Sequence, residues 1–368
     1  MKVAPEILSL VPYSPGKPIS ETKREYGLSE VVKLASNECP IGPSQKMMEA
    51  MTEALKDINR YPDGAAFELK RAMSKYLKVS PEKMVFGNGS NELIDLLLKV
   101  YCRPGDAIMI SEYSFIAYKI SAQASSVDVI EIPTRAQMKF DLAAMATTLE
   151  SNDKIRLIFL PNPNNPTGEY FSTTEFKEFM KTAAERDVLV VLDEAYREFV
   201  RADNYPDGIE QMNTYDNVVV LRTMSKVFGL AGLRVGVLVA PESVTDLINR
   251  VRNPFNVNSI AQAAVIAALG DKDHLKRVQV ITWSGVEQIE SYLKRQGLRF
   301  LPTQANFVLF DAGFEGDVVF KELLKRGVIL RPVTNYGLPT YLRWSVGLHD
   351  ENEVAMKALT EVLSVLRN

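Results

Sequence analysis

Six short apolar runs punctuate the middle of the chain: AIMIS (107–111), VDVIEI (127–132), IRLIFL (155–160), VLVVLD (188–193), NVVVLRT (217–223) and VGVLVA (235–240). Most are nearly continuous in valine, isoleucine and leucine rather than alternating with polar residues. That pattern suits strands buried on both faces of a mostly parallel sheet. Apolar positions at helical spacing cover about 43–57, 66–77 and 91–102. Further helices are expected between the strands. The clearest starts at Ser172, where Ser-Thr-Thr-Glu places Glu175 to reach back to its cap. This strand–helix alternation predicts an α/β domain with a mostly parallel central sheet and helices on both faces.

Near residue 255 the pattern changes. One long helical stretch is predicted over about 259–296, then shorter strands at NFVLF (306–310), GVILR (327–331) and YLRWSV (341–346). A last amphipathic helix follows at about 351–366. These elements read as a smaller α+β unit. Before the first helix come Pro5, Pro12, Pro15, Pro18 and Pro40, which predict an extended arm with few helices. The expected division is an N-terminal arm (1–40), a large domain (41–257) and a small C-terminal domain (258–368). A length of 368 residues accommodates both domains.

Composition narrows the chemistry. The net charge of −3 gives no reason to expect nucleic acid or an acidic membrane surface as partner. Two cysteines, Cys39 and Cys102, make no disulfide framework. Two histidines, His274 and His349, argue against a histidine metal site and against a histidine-centred triad. No metal is expected. The N-terminal apolar stretch is broken by prolines, and no apolar run reaches the roughly 20 residues of a membrane helix. A cytoplasmic enzyme is the expectation.

Open α/β sheets place ligands beyond the carboxyl ends of their strands, and the chemically informative residues lie there. After IRLIFL comes Pro-Asn-Pro-Asn-Asn-Pro-Thr-Gly (161–168), a turn with little entropy to lose, in which Asn165 presents an amide. By composition alone it reads equally as a plain loop of turn formers. After VLVVLD comes Asp193-Glu194-Ala195-Tyr196. A carboxylate ending a buried strand is costly without a partner, and a protonated pyridine nitrogen is one such partner. A solvated strand end is the competing reading. After VVVLRT comes Thr223-Met224-Ser225-Lys226, followed by a glycine-rich flank that includes Arg234. A lone lysine is usually a surface charge. This one sits between apolar segments and beside hydroxyls, a setting for Schiff-base chemistry. Thr223, Ser225 and Arg234 can donate to a phosphate. Upstream, Gly87-Asn88-Gly89-Ser90-Asn91-Glu92 feeds a helix N-terminus, an anion site by geometry. It lacks the lysine and spacing of a nucleotide P-loop and does not fit the G-x-G-x-x-G of a nicotinamide dehydrogenase.

Together, NNPTG, DEAY and the SK…GLAGLRVG segment resemble the fold-type-I pyridoxal-phosphate enzymes of the aspartate aminotransferase superfamily, over nearly the whole chain. Within it, the segments PY…PGKP, LASNECP, RYP, GNGSNELI and GLPxYLR resemble the subfamily of aminotransferases acting on histidinol phosphate. Cys39 departs from the asparagine usual in that subfamily. The resemblance implies pyridoxal phosphate as cofactor, carried on Lys226, which also shuttles the proton. It implies Asp193 on the pyridine nitrogen, Asn165 and Tyr196 on the phenolic oxygen, and Phe115 stacked on the ring. Gly89, Ser90, Asn91, Thr223, Ser225 and Arg234 would surround the phosphate, with Tyr61 reaching it across a homodimer interface. Arg343 would hold a substrate carboxylate, Arg331 the substrate phosphate, and Tyr13 on the arm would close over the substrate. The implied substrates are histidinol phosphate and 2-oxoglutarate, used in turn in a ping-pong cycle that yields glutamate. An aromatic amino-acid aminotransferase, or a decarboxylase of a phosphorylated amino acid using the same cofactor, would carry the same cofactor motifs. A regulatory relative would need a fused DNA-binding module, for which the chain has no spare segment.

Overall fold

A computed structural model of the chain describes residues 3–8, 10–12 and 16–367. Its central sheet has seven strands, in the order Met84–Asn88, Val235–Val239, Val218–Thr223, Leu189–Asp193, Ile155–Pro161, Ala107–Ser111 and Asp128–Ile132. Pairing is parallel except around Val235–Val239, which runs antiparallel to both neighbours. Side chains alternate across a strand. Accordingly Val190, Leu192, Val218 and Val220 enter one apolar cluster, while Val191, Val219 and Leu221 enter the other. Both faces are covered, so every position must be apolar, and the runs are continuous for that reason. Helices Phe67–Leu77 and Thr173–Ala183 cover the first face; Gly89–Tyr101, Ile116–Ala124 and Glu242–Val251 cover the second. The capping box at Ser172 and Glu175 is formed.

The direction of one strand matters most for the site. Six strands run the same way, and their carboxyl ends share one edge. The reversed strand brings its amino end to that same edge. Arg234, one residue before it, therefore arrives beside Gly89, which bridges to Val235. The chain also leaves Ala107–Ser111 towards Asp128–Ile132 on one side and returns to Ile155–Pro161 on the other. That switch in direction opens a crevice at the same edge.

Four elements differ from the sequence expectation, one being the strand expected at 327–331, which is two short strands, Val328–Ile329 and Arg331–Pro332, in different sheets. Met84–Asn88 is a strand that the pattern did not reveal, because its short run ends in Gly87 and passes straight into a helix. The arm contains a helix at Ile19–Tyr26, closed by Gly27 at φ 66°. The long helix over 259–296 is two helices, Ser259–Leu269 and Lys272–Arg295. Between them Gly270 ends the first, and the Asp271 side chain caps the second by accepting from the His274 N–H.

Ser259–Leu269 packs into the apolar cluster of the central sheet through Ala261, Ala264 and Val265. The next helix joins that cluster at Val278 and a second cluster at Val286, Ile289 and Leu293. The second cluster is centred on Trp344 and backs an antiparallel sheet of Arg331–Pro332, Tyr341–Ser345 and Phe307–Asp311. The arm is tied to the same unit, since Val32–Lys33 pairs with Val328–Ile329 and Leu34 enters the cluster. Among the described residues no helix is long and apolar enough to cross a membrane.

Gly236 is where the reversed strand passes the helix start. A Cβ there would lie 2.5 Å from the Ser90 nitrogen and 2.7 Å from the Gly89 carbonyl carbon. Both are backbone atoms that cannot swing aside. Gly236→Ala is expected to cost on the order of 2–3 kcal/mol in denaturant unfolding; a loss below about 0.5 kcal/mol would mean that the helix start is free to shift.

Candidate active site

At the shared strand edge lies a cavity of about 440 Å3, within the size range of small-ligand sites. Ser90, Asn91, Phe115, Asn165, Asp193, Tyr196, Thr223, Ser225, Lys226, Arg234 and Arg343 all line it. Segments far apart in sequence therefore converge as the motifs predict.

Asp193 ends its strand inside the wall, with 5 % of its surface exposed. Its hydrogen bonds come from neutral donors: Tyr118 Oη at 2.6 Å and the Ala195 N–H at 3.2 Å. Burial pushes its carboxyl up, opposed by Tyr118, the Ala195 N–H and Lys226. The adjacent Glu194 makes an instructive contrast. It is equally buried but turned the other way, where the Arg222 guanidinium lies 2.6 Å off and Tyr205 Oη and the Gly208 N–H also donate to it. The fold supplies a cation to Glu194, while Asp193 faces a cavity.

Lys226 Nζ lies 3.5 Å from the Ser36 carbonyl and 5.7 Å from the centre of the Tyr196 ring. Burial first, and then Arg343, bring its amine down to about 8. Such an amine is available unprotonated near neutral pH, as a nucleophile or base must be.

One corner of the cavity is built largely from backbone. Gly89 at φ 77° begins the helix Gly89–Tyr101, with Ser90 and Asn91 in its first turn. A Cβ on Gly89 would sit 2.5 Å from an Arg234 guanidinium nitrogen, so a side chain there would displace the guanidinium as well as strain a backbone at positive φ. Arg234 itself holds a left-handed backbone, φ 56°, a strain of the kind concentrated at functional sites. Its guanidinium donates to Ser225 Oγ at 3.4 Å and to the Ala231 carbonyl at 3.2 Å. Helix N–H groups, hydroxyls and a guanidinium thus meet at one spot, a setting for a dianion.

Opposite, Asn165 and Tyr196 each have an acceptor filled by protein. Arg343 donates to Asn165 Oδ1. Asn37 Nδ2 donates to Tyr196 Oη at 2.9 Å. The remaining donors, Asn165 Nδ2 and the Tyr196 proton, are left for the cavity. Arg343 also donates to the Ala35 carbonyl at 2.8 Å and stacks over Phe307. The donor set fits a planar, phosphorylated pyridine bearing an oxygen anion. Asp193 lacks a cation at one end, the anion cradle lies at the other, and the amine of Lys226 lies between.

Four expected positions stand apart. Tyr61 is 83 % exposed and stacks on Phe255 at 4.8 Å, outside the cavity. Arg331 does not line the cavity; it pairs in register with Arg343 on the neighbouring strand. Directly opposed residues share a face of the sheet, with Cβ atoms about 5 Å apart, so Arg331 sits one strand further out on Arg343's side. Gly89 contributes through its backbone rather than as a lining residue. Tyr13 lies outside the described residues. Cys39 is half-buried beside Gly229 and does not line the cavity. The sequence reading missed Tyr118 and gave Asn37 no role. Both act through partners far along the chain, which local spacing does not disclose.

Residues 29–359 match the family described as aminotransferase class I and II, and the chain belongs to that family. Its fold is that of the fold-type-I pyridoxal-phosphate enzymes. It is 49 % identical to the histidinol-phosphate aminotransferase of Bdellovibrio bacteriovorus over 366 residues, 99 % of this chain and 98 % of that one. The Anaeromyxobacter enzyme of the same name is 45 % identical, over 98 % of this chain and 99 % of its own. Among solved structures, the Sinorhizobium meliloti histidinol-phosphate aminotransferase in complex with pyridoxal-5'-phosphate superposes with a TM-score of 0.90 at 27 % identity, covering 99 % of this chain and 98 % of that one.

The Lys226 amine gives a stability prediction. Its folded value of about 8 lies below the 10.5 of an ordinary lysine amine. Below pH 8 both states carry the proton and the folded state bears the full cost of the buried charge. Between about 8 and 10.5 the unfolded state binds more protons, so unfolding free energy rises with pH. In cofactor-free protein, Lys226→Met should therefore stabilise by on the order of 1–3 kcal/mol at pH 7. The gap should close towards pH 10 in urea titrations. An equal gap at both values would contradict the depressed amine.

Proposed function

We propose that this chain is a pyridoxal-phosphate aminotransferase that moves the amino group of L-histidinol phosphate to 2-oxoglutarate, giving imidazole acetol phosphate and L-glutamate. The observation that carries it is the pairing, in one cavity, of an amine at about 8 with a carboxylate buried without a cation of its own. The substrate reading is supported by the near-full-length likeness to the Bdellovibrio and Anaeromyxobacter enzymes. It is also supported by Arg331 standing opposite Arg343.

Bound in this cavity, the cofactor supplies an aldehyde carbon for amines and a ring that takes up the electron pair left when a Cα proton departs. The chain's residues do the rest. Asp193 holds a proton on the ring nitrogen, and Tyr118 keeps the carboxylate aimed. Asn165 and Tyr196 would donate to the phenolic oxygen, and Phe115 would lie against the ring. Gly89, Ser90, Asn91, Thr223, Ser225 and Arg234 fix the phosphate. Lys226 would hold the cofactor until a substrate amine displaces it, and its freed Nζ would then take the Cα proton and deliver it to the cofactor's former aldehyde carbon on the far side of the amine nitrogen. Arg343 and Arg331 bind anions with the same planar fork, so one pocket can accept a phosphate and a dicarboxylate in turn. Tyr13 would close over the substrate from the arm.

The same reading makes the protein a homodimer. Tyr61 stacks on Phe255 with both rings exposed, and Ile58 and Phe67 of the neighbouring chain segments are exposed as well, apolar surface of the kind a second copy covers. It takes Tyr61 of each protomer to the other's phosphate site. It divides the chain into arm, large and small domains, with the large one carried on to Leu269 because that helix packs with the central sheet. Free Cys39 and Cys102 accord with a reducing cytoplasm.

Three experiments test this. Mixed with the cofactor-loaded protein, L-histidinol phosphate should convert the absorbance to the pyridoxamine form rapidly and phenylalanine far more slowly. Arg331→Ala should raise KM for histidinol phosphate by at least about tenfold and leave phenylalanine nearly unchanged. Comparable conversion by phenylalanine would make the protein an aromatic aminotransferase. For the dimer, Tyr61→Ala and Lys226→Ala variants, each impaired alone, should regain activity when unfolded together and refolded, since a hybrid holds one intact site. No recovery would remove Tyr61 from the partner's site.

A further inference from the structure

Asn37 lies at φ 52° and is 1 % exposed. Asparagine tolerates this left-handed backbone better than most residues. Its amide belongs to a closed hydrogen-bond circuit. The Asn37 backbone N–H donates to Ser345 Oγ at 2.8 Å, and Ser345 Oγ donates its own proton to Asn37 Oδ1 at 2.8 Å. This fixes which way the amide faces, and Nδ2 then donates to Tyr196 Oη at 2.9 Å. Asn306 Nδ2 holds the Asn37 carbonyl at 3.0 Å. Ser345 and Asn306 belong to the small unit, whereas Tyr196 follows the central strand that ends in Asp193.

We infer that Asn37 is a positioning residue: by filling the acceptor side of the Tyr196 hydroxyl, it forces the Tyr196 proton into the cavity, towards the phenolic oxygen of the cofactor. A hydroxyl that accepts from one side has a single proton to give. Here the neighbouring wall carries Arg343, which accepts none, and Lys226, which accepts none while protonated. The circuit also ties that proton to the small unit. A shift of Ser345 relative to the central sheet breaks the contact that orients Tyr196. The amide therefore couples the seating of the small unit to the electronics of the cofactor.

The inference rests on the cofactor reading above, and the test separates the two. Asn37→Gly keeps the left-handed backbone and deletes the amide. Asn37→Asp keeps the shape but puts an acceptor opposite Tyr196 and turns its proton away. A donor to the phenolic oxygen favours its anionic form, so losing it raises the pH at which the lysine-bound cofactor's absorbance titrates. We expect that midpoint to rise in the order wild type, Asn37→Gly, Asn37→Asp, by about half a unit or more at the first step, with cofactor affinity falling roughly threefold to tenfold. Adding Asn37→Gly to Tyr196→Phe should move the midpoint no further than Tyr196→Phe alone. Thermal unfolding identifies any variant that has lost its fold. An unshifted midpoint in folded Asn37→Gly, or shifts that add in the double variant, would overturn the role of Asn37 while leaving the cofactor in place. Wild-type protein without an absorbance that borohydride removes would overturn the cofactor reading and this inference with it.

Discussion

The site depends on one electrostatic debt, the burial of the Asp193 carboxylate at the end of a strand covered on both faces. An isolated carboxylate is strongly disfavoured in such a place. Glu194 shows what the fold does when it means to settle a buried charge internally: Arg222 lies 2.6 Å away, flanked by Glu198 and Asp207. Asp193 receives neutral donors and an open cavity instead. Two neighbouring carboxylates with opposite treatment identify which one awaits a ligand, and that ligand must bring a positive, hydrogen-bearing group.

The remaining groups follow from strand direction. With six strands aligned, Asp193, Thr223 and the start of the Gly89 helix reach one edge without further contrivance. The reversed strand adds Arg234 by its amino end; at Gly236 backbone passes too closely for a side chain, and at Gly89 a side chain would meet the Arg234 guanidinium. The chain segment 34–37 then closes the cavity from the small unit's side. Its carbonyls at Ala35 and Ser36 receive Arg343 and Lys226, and its Asn37 amide meets Tyr196. The site is therefore a joint between two cores rather than a feature of either one.

How much of this was legible follows from what each signal depends on. Continuous Val/Ile/Leu runs report burial on both faces, so the strands at 107–111 and 155–161 were readable almost to the residue. Met84–Asn88 was not, because glycine at its close-packed end removes the apolar signal. Gly270 and Asp271 do spell a helix end and a new cap, but uninterrupted apolar periodicity on either side masked them. Asp193, Lys226 and Asn165 were readable because each ends or follows a strand within a motif. Tyr118 was not: its partner is 75 positions away, and nothing in SFIAY marks the second aromatic as the one that reaches a carboxylate.

The pairing of Lys226 with Arg343 explains why burial and charge act together here. Arg343 is held by Asn165, the Ala35 carbonyl and the Phe307 ring, so its charge stays fixed near the amine and helps burial bring Lys226 down to about 8. An anionic substrate bound to that guanidinium offsets the same charge and favours the protonated amine. On the proposed roles, the residue that recognises the substrate is thereby electrostatically linked to the base that acts on it. With the pocket empty the amine gives up its proton at about 8, well below an ordinary lysine, and a bound anion moves the balance back towards the protonated form.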